Sequence, residues 1–408
     1  MKLIGPFSQI VTLEQLPQKG ALHDDQLQVV EAGGVLCEGT QIKAIGSFDA
    51  LSRQSHDELE TIEGAAVLLP GFLDSHTHLC FGGKRQRDYA LRIAGKSYLD
   101  IAKAGGGIWD TVQQTRQASF SELTNGLTDR LRTQLTHGIT TCEVKSGYGL
   151  SVEEELKMLK VIRVSRSKTP ADLVATCLAA HTLPRDFSGT NEAYLSLIID
   201  ELLPQIRKEQ LANRVDIFIE EGAFTPEEGK KYLHAARQMG FDLTIHGDQF
   251  HPGGSTVAVE LGAQSVDHLE SSTEKEIKGL SKSDVVGTAL PGASLGLGCP
   301  FTPARQLLDQ GGCLAIASDW NPGSAPMGDL VTQAAILSTM QKLSTAETLA
   351  GLTFRAAKAL GLKDRGRLEA GYLADMQAYP SDDYRDILYY QGQLKPHMVW
   401  KNGEKVHG

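Results

Sequence analysis

Eight short apolar runs, separated by segments long enough to hold a helix, organise the middle of this chain. They lie near residues 71–76, 139–145, 173–181, 215–220, 242–246, 264–268, 284–290 and 313–318. The intervals between them carry helical periodicity, as from Val152 to Arg166 and from Pro226 to Met239. Successive strand and helix units of this kind predict an α/β fold, a parallel (β/α)8 barrel of the TIM type.

The two ends of the chain have a different character. Gln26 to Val30, Val35 to Gly39 and Ile42 to Gly46 look like short strands, with a turn at Gly33-Gly34 between the first two. Gly366 to Leu368, Ala374 to Tyr379 and Met398 to Gly403 repeat the pattern at the far end as strands and a hairpin. The termini are therefore expected to meet in one small composite β-sandwich domain, residues 1–65 plus 363–408. The barrel, residues 66–362, is then the catalytic domain.

Polar residues fall where such a barrel would use them. His76, His78, Lys145, His181, Glu220, His246, His268 and Asp319 stand at or just past the C-terminal ends of the expected strands, the face on which barrel enzymes carry their chemistry. In an extended strand alternate side chains share a face, so His76 and His78 can aim both imidazoles at one spot. His246 closes the run from Phe241 to Ile245, and Asp319 follows the run from Cys313 to Ser318. Three imidazoles and one carboxylate make a borderline-soft donor set that suits Zn²⁺ or iron and leaves room for a water.

Composition narrows the partner. A net charge of -10, from 40 Lys and Arg against 50 Asp and Glu, comes with no basic run and disfavours nucleic acid or an anionic membrane. No apolar stretch approaches the ~20 residues that span a bilayer. Cys37, Cys80, Cys142, Cys177, Cys299 and Cys313 form no Cys-x-x-Cys motif, and no export segment opens the chain. The expectation is a cytoplasmic protein with reduced core thiols and a small-molecule substrate.

Several segments resemble the imidazolonepropionase family of the amidohydrolase superfamily. They are His76 to Gly83, Ala104 to Ile108, Glu143 to Leu150, His246-Gly247-Asp248-Gln249, Asp267-His268-Leu269-Glu270 and Ser318 to Gly323. The His-x-His pair and the late aspartate are superfamily features, whereas Lys145-Ser146-Gly147-Tyr148-Gly149-Leu150 and Ser318-Asp319-Trp320-Asn321-Pro322-Gly323 are particular to this family.

The resemblance implies the same barrel with its terminal β-sandwich, one zinc or iron ion on His76, His78, His246 and Asp319, and a homodimer. It implies hydrolysis of 4-imidazolone-5-propanoate to N-formimino-L-glutamate, a step of histidine degradation, by a metal-bound hydroxide. Some superfamily relatives hold two metals bridged by a carboxylated lysine on the fourth strand. Here that strand ends in Glu220, which favours one metal, and Lys145 on the second strand is expected to make a structural contact behind the ligands.

The resemblance also distributes roles. Asp319 is the candidate proton shuttle, and His268 would orient water or stabilise an oxyanion. Gln249 occupies a place where relatives carry Glu or Gln; an amide has no useful basicity, so it is expected to hydrogen-bond substrate or water. Arg85 matches the arginine that grips the propanoate, since a guanidinium can hold a carboxylate by two parallel bonds. Tyr148, His181, Asn321, Gly323 and Ser324 match positions that contact substrate or product, and Tyr98 is a further candidate. Ala104-Gly105-Gly106-Gly107 lacks the lysine of a phosphate loop and reads as a flexible loop near the site. His251 is left without a role.

From the residues alone, a nucleobase deaminase or a cyclic-amide hydrolase of the hydantoinase kind would compete, as would a catalytically silent scaffold. Arg85 separates them, because a neutral base offers no carboxylate to receive it.

Overall fold

A computed structural model describes residues 1–96, 100 and 104–408. Tyr98 therefore lies outside the described residues. The N-terminal strands are β1 (Lys2–Val11), β2 (Val29–Glu38), β3 (Gln41–Ser47), β4 (Glu58–Thr61) and β5 (Val67–Pro70). The central strands are β6 (Phe72–Asp74), β7 (Ile139–Lys145), β8 (Asp172–Ala180), β9 (Arg214–Ile219), β10 (Asp242–Gly247), β11 (Ser265–His268), β12 (Val286–Ala289) and β13 (Cys313–Ile316). The chain ends with β14 (Met376–Tyr379), β15 (Met398–Lys401) and β16 (Glu404–His407).

The central strands pair in parallel in sequence order from β6 to β13, with helices between them, as the alternation of apolar runs predicts. Every residue of β7 is buried, which a strand covered on both faces requires. The ring is drawn together at its C-terminal end. There Thr77 bridges Trp320, Asp319 N donates to His76 O at 3.1 Å and His78 N donates to Trp320 O at 3.0 Å. One step deeper, the Asp74 carboxylate accepts from Ser318 N and from Ser318 Oγ.

The terminal strands form one mixed sheet in the order β16-β15-β14-β5-β1-β2-β3, with β4 against β1. Its core includes Ile4, Phe7, Ile10, Val35, Leu68, Met376 and Trp400, and Phe7 meets Trp400 edge to face at 6.1 Å between centroids. Strand β5 belongs to this sheet, pairing with β1 and β14, so the chain passes from sheet to barrel at Gly71. No helix among the described residues is long and apolar enough to cross a membrane.

Three local expectations are corrected. Gly33-Gly34 is not a turn but the middle of β2, and the absent side chains make room: a Cβ at Gly33 would sit 2.6 Å from Ile10 and one at Gly34 2.9 Å from Phe48. The segment 26–28 is not strand, because Asp24–Gln26 forms a 3-10 turn before β2 begins at Val29. Gly366 to Leu368 is not strand either. Gly366 has a φ of +84° and lies against the Phe354 backbone, while Arg367 turns inward to donate to Leu13 O and Leu16 O.

Candidate metal centre and active-site pocket

The barrel brings the candidate ligands to one point. His76 and His78 follow β6 with one residue between them, and His246 lies one residue from the end of β10. Their ring nitrogens form a buried cluster in which all ligand atoms lie within 4.8 Å of one another. Asp319, just past β13, adds a carboxylate whose Oδ1 is 3.5 Å from His76 Nε2 and 3.4 Å from His78 Nε2.

Two features fit a cation at this point. His76 Nε2 is buried and has no hydrogen-bond partner among the described residues, an arrangement that costs free energy unless something accepts its lone pair. His78 Nε2 and His246 Nε2 stand 3.2 Å apart, close to the separation that two nitrogens take around one tetrahedral ion at about 2.0 Å from each.

Carboxylates behind the rings set their orientation. Asp267 Oδ2 lies 2.7 Å from His76 Nδ1, and Asp216 Oδ2 lies 2.9 Å from His246 Nδ1. A carboxylate can only accept, so each Nδ1 carries the proton and each Nε2 presents its lone pair to the centre. Burial holds His76 and His78 well below the ordinary histidine range, and brings His246 down to about 4 even though Asp216 opposes the shift. All three rings are thus neutral, the form that binds metal. Burial raises the Asp319 carboxyl to about 7, against the pull of His268 and Asn321.

Above the cluster opens a cavity of about 520 Å³. His78, His246 and Asp319 line it together with Arg85, Tyr148, His181, Gln249, His268, Asn321 and Ser324. His268 is backed by Glu270, 3.4 Å from its Nδ1. His181 Nδ1 donates to Gly147 O at 2.9 Å, and burial lowers this ring to about 4. Burial and Asp319 push the Tyr148 hydroxyl above its ordinary value, so it remains a neutral donor. Gly323 donates its N–H to Asn321 Oδ1 at 2.7 Å.

The Amidohydrolase family model matches residues 67–406. An imidazolonepropionase of Acinetobacter baumannii is 38% identical over 388 residues, covering 94% of this chain and 96% of that one. An imidazolonepropionase of Bacillus cytotoxicus is 37% identical over 411 residues, covering 99% and 96%. The chain belongs to the imidazolonepropionase branch of the amidohydrolase family. Among solved structures, atrazine chlorohydrolase from Arthrobacter aurescens complexed with zinc shares the fold, with a TM-score of 0.74 over 100% of this chain and 95% of that chain at 18% identity.

In this amidohydrolase the structure also places at the site residues to which the sequence reading gave no role. Asp88 is the first: its Oδ2 accepts from Arg85 Nε at 2.8 Å and from Gly107 N at 2.8 Å. The glycine-rich loop thereby reaches Arg85 through Asp88, and a Cβ on Gly106 would sit 2.2 Å from the Asp88 carboxylate. Asp216, Asp267 and Glu270 are the others. Their signal is a charge inside or beside a buried strand end, which a partner elsewhere at the site must compensate. Glu220 is turned to its own loop, accepting from Phe250 N and His251 N and lying 2.5 Å from His251 Nδ1. His251 so acquires a structural place at the cavity mouth.

Proposed function

We propose that this chain hydrolyses 4-imidazolone-5-propanoate to N-formimino-L-glutamate, with one zinc or iron ion held by His76, His78, His246 and Asp319. The observation that carries this reading is a single cavity lined by two of the three clustered histidines and by a half-buried arginine, in a chain similar along its length to imidazolonepropionases. The substrate offers a ring amide for the first and a carboxylate for the second.

A divalent ion bound there supplies Lewis acidity, bringing the pKa of water from about 15.7 toward roughly 7 and polarising a carbonyl. The protein's own groups do the rest. Arg85, with Nε committed to Asp88, keeps its two terminal nitrogens for the propanoate, as two parallel charge-assisted bonds. Gln249, Tyr148 and His181 offer neutral hydrogen-bonding groups for the flat ring, which fixes its carbonyl near the cluster.

Net hydrolysis adds water across the ring C–N bond: the oxygen joins the carbonyl carbon, and the departing nitrogen gains a proton. Asp319 takes the proton from water and returns it to nitrogen. His268, its Nδ1 side occupied by Glu270, presents Nε2 to the oxygen on which negative charge develops. Gln249 acts as a hydrogen-bonding group and not as the base.

The test is to load purified protein with Zn²⁺ or iron and follow loss of the imidazolone absorbance. A flat trace from a metallated sample would sink the reading and favour a silent scaffold.

A further inference from the structure

The chemistry above makes no use of the deepest charges in the barrel. Lys145 is fully buried, and its Nζ lies 2.8 Å from Glu143 Oε2, 2.8 Å from Asp216 Oδ2 and 3.8 Å from Asp267 Oδ2. Lys145, Asp216 and Asp267 come from β7, β9 and β11, which are alternate strands, the way a barrel interior assembles one layer of side chains. Below them Arg214 Nε stands 3.5 Å from Glu143 Oε1, which also accepts from Thr176 Oγ1.

Burying charges in this way is expensive. Each ion loses several kcal/mol of hydration, and apolar side chains of similar volume would fill the space as well or better. Packing therefore does not account for the cluster. Its connections do. The two aspartates that share the ammonium are the two that touch candidate metal ligands, Asp216 at His246 Nδ1 and Asp267 at His76 Nδ1. Further bonds fix each carboxylate: Asp216 Oδ1 accepts from Ile217 N and His246 N, and Asp267 Oδ2 accepts from Thr244 Oγ1. Glu143, the third carboxylate on the ammonium, has no contact with any of the three histidines.

We propose that Lys145 is a positioning residue for the metal centre: its ammonium holds the carboxylates of Asp216 and Asp267 where they orient His246 and His76, so one buried cation sets the direction of two ligand nitrogens. It touches neither substrate nor metal and acts through the aspartates. The unequal distances rank the two arms. Asp216 is hydrogen-bonded to the ammonium and Asp267 only faces it, so His246 depends on Lys145 more than His76 does. The proposal rests on reading the three histidines as a metal centre.

Two variants test it. Lys145→Met removes the cation alone. Lys145→Met/Glu143→Gln removes it together with the carboxylate that serves no histidine, which keeps the interior charge balanced. The readouts are Zn²⁺ affinity by competition with a chromophoric chelator, the absorption bands of the Co²⁺-loaded protein, and the Tm of the metal-free protein. The expected result is Zn²⁺ binding weaker by roughly 10- to 100-fold in both variants, with altered Co²⁺ bands and, in the double variant, a metal-free Tm close to the parent's. A folded variant with parental affinity and parental Co²⁺ bands would overturn the proposal. So would a failure of both variants to fold, since Lys145 would then serve the fold alone. If the parent itself binds no Zn²⁺ in the same competition, it is the metal-centre reading that fails, and this proposal falls with it.

Discussion

Asn321 donates from Nδ2 to Asp319 Oδ2 at 2.9 Å, while Oδ1 of the same carboxylate faces His78 Nε2 at 3.4 Å. The side chain of Asn321 is held in turn: its Oδ1 accepts from Gly323 N and Ser324 N at 2.7 and 2.8 Å. One amide thus ties the loop after β13 to the carboxylate and decides which oxygen faces the histidines. Asn321→Ala should lower kcat by roughly 10- to 100-fold, the range seen when groups that orient metal ligands are removed, with a smaller change in KM. Steady-state kinetics on metal-replete protein would check this, and an unchanged kcat would remove Asn321 from the orienting role.

Arg85 is sited by what is missing from a neighbour. A Cβ on Gly323 would lie 2.3 Å from Arg85 Nη1, so Gly323→Ala must displace the guanidinium. Arg85→Ala should raise KM for the propanoate substrate by about 100-fold, the worth of a bidentate charged pair, and Gly323→Ala should raise it in the same direction by less. Metal content should stay at the parental level in both. An unchanged KM in Arg85→Ala would refute the carboxylate role.

Two buried rings should each cost the metal-free protein stability in mild acid. His246 and His181 are lowered from 6.5 to about 4 by burial, so between these values the unfolded chain binds protons that the folded chain does not. Their contribution is complete above pH 6.5 and is lost as pH falls toward 4, at roughly 1 kcal/mol per pH unit for each ring. His268 and Asp319 work in the opposite sense: Glu270 raises His268 despite burial, so its contribution is present below 6.5 and lost as pH rises through its folded value, and burial raises Asp319 from 3.8 to about 7, so between these values the folded chain binds a proton that the unfolded chain does not. On chelator-treated protein the Tm of His181→Gln, followed from pH 7 to 4, should therefore lose less than the parent's. Parallel profiles for parent and variant would contradict a buried neutral His181.

Metal analysis offers an independent check. Chelation should abolish turnover, and one equivalent of Zn²⁺ or iron per chain should restore it. The cluster holds three histidines and no bridging lysine, since Lys145 is committed to Glu143 and Asp216. Two equivalents bound in active protein would count against the single-ion centre.

What could be read from the sequence follows from what is periodic. The barrel strands announce themselves as apolar runs, and the histidines stand out because they end such runs. Strand β1 escaped notice, since Gly5 and Pro6 interrupt Lys2–Val11 and look like a turn. Gly33-Gly34 misled for a related reason: glycine signals a bend as readily as a place where a neighbour packs close. The charged layer of Lys145, Asp216 and Asp267 was visible as residues but not as a unit. Its members lie on three strands far apart in the chain, and only barrel closure makes them neighbours. Asp88 was hidden too, because its partner Gly107 contributes a backbone N–H that no side-chain pattern records.

The meeting of the first and last barrel strands at Thr77 and Trp320 has a consequence for how the molecule comes apart. The backbone bonds that clasp this ring, Asp319 N to His76 O and His78 N to Trp320 O, involve three of the four candidate ligands, His76, His78 and Asp319. A loaded ion would then work as a rivet across the join between β6 and β13, which an isolated bridge rather than a ladder closes, and an empty site leaves that join held by Asp74 and a few amides. Unloaded protein should begin to open along this seam, exchanging its amide hydrogens around 76–78 and 318–320 before the rest of the barrel loosens.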